Sequence, residues 1–368
     1  MKFNALTIAI SSLLLAGTAQ AATVYEKDGN KLDITGFMKG MYYGSDNLGQ
    51  EGDRSFARVN VKGWTELGGG WTAFGRLEKE LSANQSEHFR HMHIGVMNDK
   101  FGTLTYGRQY GLFNSQVSNR TDVLVEFGND GLGDGSDKFG SGRNSGLLTY
   151  VYNYGGLSLG VQATGAKSSD RLYGTNEFDV INTDTGALET VERDVKKESE
   201  EGYALSAAYE FSNGFGLSAA YNEAGKTDGQ SSSANFGGDD DAKLAGAAMR
   251  YQGEALYAAV TLSKGESHQY VNGGFAEENT GLEAVVQYQV TPDVRLGVAY
   301  VQADVKDDGQ NLDGTFNNYT SVEAKYNFKP NFHVFAAYKI NLLDEDDADM
   351  FNGQNTDDVI AAGVEYAF

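Results

Sequence analysis

The side chains best suited to chemistry in this chain are charged groups that form two sets. The acidic set lies in a polar, glycine-rich segment from Gly111 to Gly142, which we call the inner loop, and comprises Asp122, Glu126, Asp130, Asp134 and Asp137. The basic set alternates with apolar residues in neighbouring segments and comprises Lys39, Arg58, Arg90, Arg108 and Arg143. Fixed charges of opposite sign across a few ångströms of water create a field that orients polar solutes and biases the passage of ions. Arginine suits this role because its guanidinium is not deprotonated in proteins.

Composition excludes several other classes of protein. The 368 residues include no Cys, which excludes a disulfide scaffold and any thiolate metal site. A net charge of -22 argues against a nucleic-acid partner, because such a partner requires a basic face. An aromatic content of 12% with only 2 Pro is atypical of disordered chains.

The first 21 residues have the features of a secretory signal peptide. Lys2 supplies the positive start, and a short apolar run from Ala5 to Ala16 follows it. Ala19 and Ala21 then form a small-x-small cleavage pattern. We therefore expect cleavage after Ala21, export of the protein, and one folded domain over residues 22–368.

The remaining sequence alternates apolar with polar or small residues, which is the pattern of strands with two different faces. Clear examples are 157–164, 203–211 and 282–290. From Lys31 onward we place 16 strands, joined at one end by short turns that hold both prolines and at the other by long polar connections such as Lys306 to Thr315. This asymmetry is typical of transmembrane β-barrels. The fold class predicted is all-β, a 16-stranded antiparallel transmembrane barrel; a soluble all-β protein is the alternative.

Tyrosines near strand ends fit interfacial girdles of such a barrel. They are Tyr42, Tyr152, Tyr209, Tyr257, Tyr300 and Tyr338. The last strand alternates from Ile360 to a terminal Phe368, with Tyr366 on the same face. An alternating strand that ends on an aromatic residue resembles the assembly signal of outer-membrane proteins, and we assign that role to Tyr366 and Phe368.

Three segments resemble one protein family. Val24–Asp33 resembles the opening of enterobacterial-type general porins of Gram-negative bacteria, Tyr106–Gly111 the end of their fifth strand, and Thr121–Gly128 their third-loop motif. In that family the fold is a 16-stranded barrel, three barrels form a trimer, and the third loop folds inward to narrow each pore. The resemblance therefore implies that the inner loop, about 111–142, constricts a water-filled channel.

The resemblance also assigns roles to single residues. Arg58, Arg90 and Arg143 match the basic ladder of the family's constriction, and Lys39 and Arg108 are added from the same inner faces. Asp122 and Glu126 match the acidic loop opposite, with Asp130 beside them, and Glu78 matches a wall carboxylate. Glu87 matches the acidic residue of a loop that reaches the adjacent subunit.

The sequence departs from the family pattern at several positions. Phe37 stands where a basic residue is usual, Val125 replaces the usual Pro of the loop motif, and Asn129 replaces its second Gly. Lys138 adds a positive charge to an otherwise acidic loop. These changes affect the size and the ion preference of the expected constriction.

Histidines and outer acidic loops suggest metal sites as alternatives. His91 and His93 share a strand face, with His88 close by, and could present two imidazoles to Zn²⁺ or Cu²⁺. We instead expect His91 and His93 to face away from the lumen, at a subunit contact with Glu87. The stretch 130–137 lacks the bidentate Glu of an EF-hand. Acidic loops such as 344–347 could bind divalent cations that bridge lipopolysaccharide. We predict no resident metal and no cofactor.

The function predicted is passive diffusion of small hydrophilic solutes and ions across the outer membrane of a Gram-negative bacterium, with preference for cations. Its expected partners are two further copies of the chain, outer-membrane lipid and lipopolysaccharide, and no nucleic acid. A channel specific for a substrate such as an oligosaccharide is the alternative, and it would use inward aromatic residues such as Phe37, Trp64 and Phe74. A membrane enzyme would need a framed nucleophile; His268 near Ser263 and Ser267 has no such frame.

Overall fold

The protein is an all-β, closed antiparallel barrel in the computed structural model, which describes residues 22–47, 49–82, 88–135, 138–181, 188–231, 241–309, 311–351 and 354–368. The 16 long strands of the barrel confirm the predicted fold class. They are β2 (Asn30–Gly44), β4 (Phe56–Gly68), β5 (Trp71–Ser82), β6 (His88–Asn98), β7 (Gly102–Tyr110), β8 (Arg143–Tyr154), β9 (Leu157–Thr164), β12 (Gly202–Glu210), β13 (Phe215–Ala224), β14 (Ala242–Gln252), β15 (Leu256–Glu266), β18 (Glu278–Gln289), β19 (Val294–Asp307), β20 (Leu312–Lys329), β21 (Phe332–Asn341) and β22 (Val359–Ala367).

Shorter elements complete the described chain. They are β1 (Ala22–Lys27), β3 (Gly52–Asp53), the hairpin of β10 (Leu172–Ile181) and β11 (Leu188–Lys196), β16 (Tyr270–Val271), β17 (Gly274–Phe275), and the helices α1 (Leu112–Gln116), α2 (Asp228–Ser231) and α3 (Glu345–Met350), with a 3-10 turn at Ser118–Arg120. None of the helices among the described residues is long and apolar enough to cross a membrane.

The barrel closes where the last strand pairs with the first long strand. β22 runs antiparallel to β2 from Phe37 opposite Ala367 to Gly44 opposite Ile360. The backbone of the terminal residue, Phe368, completes this seam through two hydrogen bonds of 2.9 Å with Gly36, one in each direction. The other edge of β2 pairs with β4, so none of the long strands that the structure describes is left as an open edge of this sheet.

Alternation along each strand decides which side chains face the lumen. In β12, for example, Tyr203, Leu205 and Tyr209 are exposed on the outside, while Ala204 and Ala208 are buried on the inside. Tyr257 is an exception among the tyrosines expected at the outer girdles. Its side chain is buried, and its hydroxyl donates to the carbonyl of Arg120 in the inner loop at 2.6 Å, so Tyr257 faces inward.

The connections differ in length as expected, with one correction. Pro292 and Pro330 lie in short turns between β18 and β19 and between β20 and β21. The predicted long connection from Lys306 to Thr315 is instead mostly strand, because the β19–β20 ladder continues up to Asp307 opposite Leu312. Polar side chains at these positions gave no sign that backbone pairing extends so far.

The inner loop leaves the barrel wall after β7 and returns at β8. Its two ends touch, because the Gly111 amide donates to the Gly142 carbonyl at 2.6 Å. A Cβ at Gly111 would overlap the carbonyl oxygen of Gly140, and one at Gly142 would overlap that of Asp134. Glycine is therefore required at both ends for the chain to cross itself this closely.

Apolar packing holds the inner loop against one side of the barrel interior. Phe113, Val117 and Leu132 of the loop form a buried cluster with Ala220, Leu244 and Ala248 of β13 and β14. Small inward side chains on these strands leave the space that the loop fills. Burial of this apolar surface stabilises the loop in place, since each large side chain removed from water contributes about 1.5–3 kcal/mol.

Candidate functional site

Buried side chains of the barrel wall fasten the acidic part of the inner loop. The carboxylate of Glu283 in β18 accepts hydrogen bonds from the Thr121 hydroxyl at 2.5 Å and from the Gly131 amide at 2.8 Å. The carboxylate of Glu323 in β20 accepts from the Val125 amide at 2.6 Å. These wall groups hold both ends of the segment from Thr121 to Gly131 against the interior of the barrel.

Tyr319 and Lys39 add two further fastenings. The Tyr319 hydroxyl accepts from the Gly128 amide at 2.9 Å and donates to the Asp130 carboxylate. The Lys39 ammonium donates to the Val125 carbonyl at 3.2 Å, so this predicted lumen cation also anchors the loop. The loop backbone is thereby held at several points, which fixes the positions of its acidic side chains.

A cavity of about 1520 Å³ runs along the loop and the opposite wall. Predicted residues line it from both sides: Asp122, Glu126 and Asp130 on the loop, and Lys39, Arg58, Arg90 and Arg143 on the wall. Arg143 also stacks its guanidinium over the ring of Tyr110, with 5.7 Å between the guanidinium carbon and the ring centroid. The structure therefore brings most members of the two predicted charge sets to one lumen.

The basic wall is a network in which arginines share carboxylates. Arg58 Nε donates to Glu80 at 2.6 Å, and Arg90 Nε donates to Glu78 at 3.0 Å. Arg76 contacts Glu78 at 2.6 Å, and Arg90 also reaches Glu80 at 3.4 Å. We call these five residues the wall cluster. Its carboxylates hold the guanidinium groups in place and compensate much of their charge.

Two predicted constriction residues lie off the cavity. Glu78 belongs to the wall cluster but is buried behind the arginines that it binds. The structure corrects the predicted position of Arg108, which does not line the cavity. Its Nε donates to the Phe89 carbonyl at 2.7 Å, and a second nitrogen donates to the Ser145 hydroxyl at 3.4 Å. The β7–β8 register shifts beside Arg108, where Gly107 has a φ of 131°, and simple alternation therefore fails there.

The histidines are a second correction, because neither faces the outside of the barrel. His93 lines the cavity, and His91 is buried with its ring centroid 4.9 Å from that of Tyr110. Arg90 is an extra residue at a bulge, since Glu78 pairs with His91 and Lys79 pairs with Phe89. The bulge reverses the expected facing of His91. The third predicted contact residue, Glu87, lies outside the described residues.

The confined lumen changes the titration of the loop carboxyls. The Asp122 side chain reaches lumen water, but the surrounding protein raises its pKa by desolvation, while a hydrogen bond with Asn129 and the charges of Arg58 and Arg90 oppose the rise. Burial likewise raises the pKa of Glu126, and Lys39 opposes it. Asp134 is buried within the loop, where it accepts from Ser118 at 2.6 Å and Asn114 at 2.7 Å. Asp134 therefore supports the loop at the border of the cavity.

The extra positive charge of the loop is largely sequestered. The Lys138 ammonium donates to the Gln269 side chain at 3.0 Å and to the Gly133 carbonyl at 3.3 Å, and burial lowers its pKa to about 8. Next to it, His268 is fully buried against Ser141, with 3.2 Å between the hydroxyl and Nε2, and its pKa falls to about 3. His268 packs between loops and is placed for support, not for activation of a nucleophile.

Aromatic residues also line the cavity, as the alternative function requires. Phe37, Trp64 and Phe74 all border it. However, the guanidinium of Arg58 lies 5.3 Å from the ring centroid of Phe37, and the ammonium of Lys31 lies 5.5 Å from that of Trp64. A cation therefore lies close to two of these three rings.

Sequence reasoning missed several charged residues of the lumen. Arg76 and Glu80 share a face with Glu78 in β5, so strict alternation identifies them once Glu78 is placed inward. A second group, in which Arg120 of the loop and Arg250 of β14 both contact Glu210 at 2.7 and 2.9 Å, joins residues far apart in the chain. No local feature of the sequence predicts that contact.

Comparisons with known proteins agree with this geometry. A family model described as Gram-negative porin matches residues 27–368. The chain belongs to this family. It is 34% identical, over the full length of both chains, to the outer membrane porin protein OmpD of Citrobacter koseri, and 33% identical to outer membrane porin N of Escherichia coli, again over both full lengths.

Solved structures agree as well. An OmpF of Salmonella typhi, determined in complex with daunomycin, superposes with a TM-score of 0.79 at 27% identity and covers 94% of this chain and 99% of its own. An anion-selective porin from Comamonas acidovorans shares the fold alone, with a TM-score of 0.66 at 12% identity, covering 92% of this chain and all of its own. The protein is thus an outer-membrane porin, a channel for passive diffusion and not an enzyme.

Proposed function

We propose that this porin is a homotrimer whose pores pass small hydrophilic solutes and ions with a preference for cations, and that Asp122 and Glu126 set this preference. The observation that carries the proposal is an imbalance in pairing. Within the described chain, neither carboxylate has an ion pair, whereas Arg58 and Arg90 are both paired in the wall cluster. Carboxylates without an ion pair attract cations to the narrow region more strongly than paired arginines repel them.

Charge elsewhere supports the same direction. The whole chain carries a net charge of -22, and the outer connection that contains α3 exposes Glu345 and Asp346. Lysines and arginines nevertheless outnumber acidic residues along the cavity, which limits the preference. The test is the reversal potential of the purified protein in a planar bilayer under a KCl gradient. A potential on the potassium side supports the proposal, and one on the chloride side rejects the assigned role of the loop.

The proposed trimer contact lies on the outer surface of the first strands. An apolar groove there includes Gly63, Gly75, Ile94 and Leu104. Gly63 and Gly75 are register partners with ordinary negative φ, and a Cβ on either would make only normal contacts within the barrel. The barrel itself does not require glycine at these positions, so we attribute the glycine pair to close approach of a second copy of the chain.

A bulky substitution tests this contact. We expect the parent protein to migrate as an oligomer in dodecyl sulfate at room temperature. Gly75→Phe should abolish that oligomer while it leaves the barrel folded, as judged by heat-dependent migration on gels. Ala247→Phe is the matched control, because Ala247 is exposed on the outer face of β14. An intact oligomer in Gly75→Phe would place the subunit contact elsewhere.

The alternative is a channel specific for an oligosaccharide, with Trp64 and Phe74 as neighbouring stacking platforms that form a register pair. Stacking on aromatic faces would give saturable binding. Block of the ion current by micromolar maltooligosaccharide would favour this alternative. A current that is insensitive to the sugar at millimolar concentration would support a general channel instead.

A further inference from the structure

Two cations in the lumen face each other, and neither forms an ion pair with the described residues. Arg295 of β19 and Lys325 of β20 are direct register partners in the antiparallel ladder, and both line the cavity near the short-turn end of the barrel. Side chains at such positions have Cβ atoms about 4.5–5.5 Å apart, and like charges placed there are destabilising. A close pair of cations therefore persists at a cost to the fold.

Neither cation is neutralised by the described residues around it. Lys325 is only 5% exposed, yet it makes no hydrogen bond or ion pair within the described chain, and Arg295 Nε is buried without a hydrogen-bond partner. Loss of hydration without a compensating partner disfavours a charged group. Most other luminal arginines described above share a carboxylate, which makes this pair distinct.

The two nearest carboxylates have other partners. Glu323, two residues before Lys325 on the same face, accepts the hydrogen bond from the Val125 amide that fastens the inner loop. Glu365 of β22 lies 3.8 Å from the Lys39 ammonium and 3.9 Å from Nε2 of His333. Charge in this part of the wall is therefore left in excess on Arg295 and Lys325.

We propose that Arg295 and Lys325 form a binding site for a small oxyanion, such as inorganic phosphate or the phosphate or carboxylate group of a passing solute. The planar fork of Arg295 can donate two parallel hydrogen bonds to such a group, and Lys325 adds a point charge beside it. A bound oxyanion relieves the repulsion between the two cations. The site binds anionic solutes transiently in a pore whose loop carboxylates disfavour them. This inference rests on the proposed channel function.

The test is competition between phosphate and chloride in planar bilayers with the full-length porin. Inorganic phosphate should lower the single-channel current saturably at constant ionic strength. Lys325→Gln and Arg295→Gln should each require about tenfold more phosphate for half of the effect, since hydrogen bonds to charged groups are worth about 1.5–3 kcal/mol. Both variants should still conduct in KCl, which shows that the barrel folds.

The matched control is Lys339→Gln, which removes one luminal positive charge at a different height. Lys339 lines the cavity four residues beyond Phe335, the partner of Lys325 in β21, and is therefore about 13 Å away along the strand. In this variant the phosphate concentration that gives half of the effect should stay within about twofold of the parent value, because Arg295 and Lys325 still contact the bound anion. An equal shift in Lys339→Gln, or a parent channel that conducts without a saturable phosphate effect, overturns the site. Absence of any current would instead reject the channel function.

Discussion

Neutralising two carboxylates of the inner loop, by Asp122→Asn together with Glu126→Gln, should remove most of the cation preference. Both substitutions keep side-chain size and hydrogen-bonding capacity, so the inner loop should remain fastened by Glu283, Glu323 and Tyr319. The change in charge is then the dominant perturbation. The wall cluster keeps its own pairs, and the remaining field in the lumen becomes more positive.

The size of the effect follows from Coulomb's law. An ion that passes about 5 Å from a carboxylate in water gains or loses about 0.8 kcal/mol. Screening in 0.1 M salt, where the Debye length is about 10 Å, reduces this to about 0.5 kcal/mol. Potassium and chloride are affected with opposite sign, so each carboxylate changes their permeability ratio by about 1 kcal/mol, which is about fivefold. In 1 M salt the same change should shrink to less than about twofold.

The assay is the reversal potential under a KCl gradient, measured at both salt concentrations for the parent and for each single and double variant. The matched control neutralises two exposed acidic residues of α3, by Glu345→Gln together with Asp346→Asn. The control should shift the potential much less, because these groups do not line the narrow cavity. An unchanged ratio in the loop variant, or an equal change in the control, would refute the assignment of selectivity to the inner loop.

Three further outcomes are expected. Burial raises the pKa of Asp122 and Glu126, so these carboxyls take up protons at a higher pH than ordinary carboxyls do. As the pH is lowered, the cation preference should therefore begin to decline while the pH is still above the usual range of carboxyl pKa values. A decline that begins only below that range would contradict the shift. Tyr319→Phe removes the hydroxyl that hydrogen-bonds with two positions of the inner loop, which should weaken the attachment of the loop by about 1–3 kcal/mol and raise the open-channel current noise. An unchanged noise spectrum would count against this anchor. In thermal unfolding, the variant with both Arg58→Ala and Glu80→Ala should lose less stability than the sum of the losses in the two single variants, with a coupling of about 0.5–3 kcal/mol. Strict additivity would mean that the pair contributes no interaction.

Much of the barrel was predictable because one property, alternation with period two, governs every strand. Strands such as 203–211 and 282–290 show it plainly, and the aromatic end of the last strand lies at the closing seam beside Gly36. The acidic inner loop was equally visible as a polar interruption between β7 and β8. Both charge sets could therefore be assigned to one lumen before any contact was known.

Predictions failed where a local irregularity or a distant partner decided the result. One extra residue at Arg90 and the register shift beside Arg108 each reverse the facing of a side chain, and sequence alternation does not reveal such bulges. The roles of Glu283 and Tyr319 depend on contacts with a loop more than 150 residues earlier in the chain. The assembly role of Tyr366 and Phe368, cleavage after Ala21 and the contact of Glu87 stay predictions.

The most direct test of the channel account is single-channel current from the detergent-extracted protein in a planar bilayer under a KCl gradient. The account predicts closure in three equal steps, one for each subunit, and a reversal potential on the potassium side. Closure in single steps would contradict the trimer, and a potential on the chloride side would contradict the role of Asp122 and Glu126. Absence of current from folded protein would contradict the channel itself.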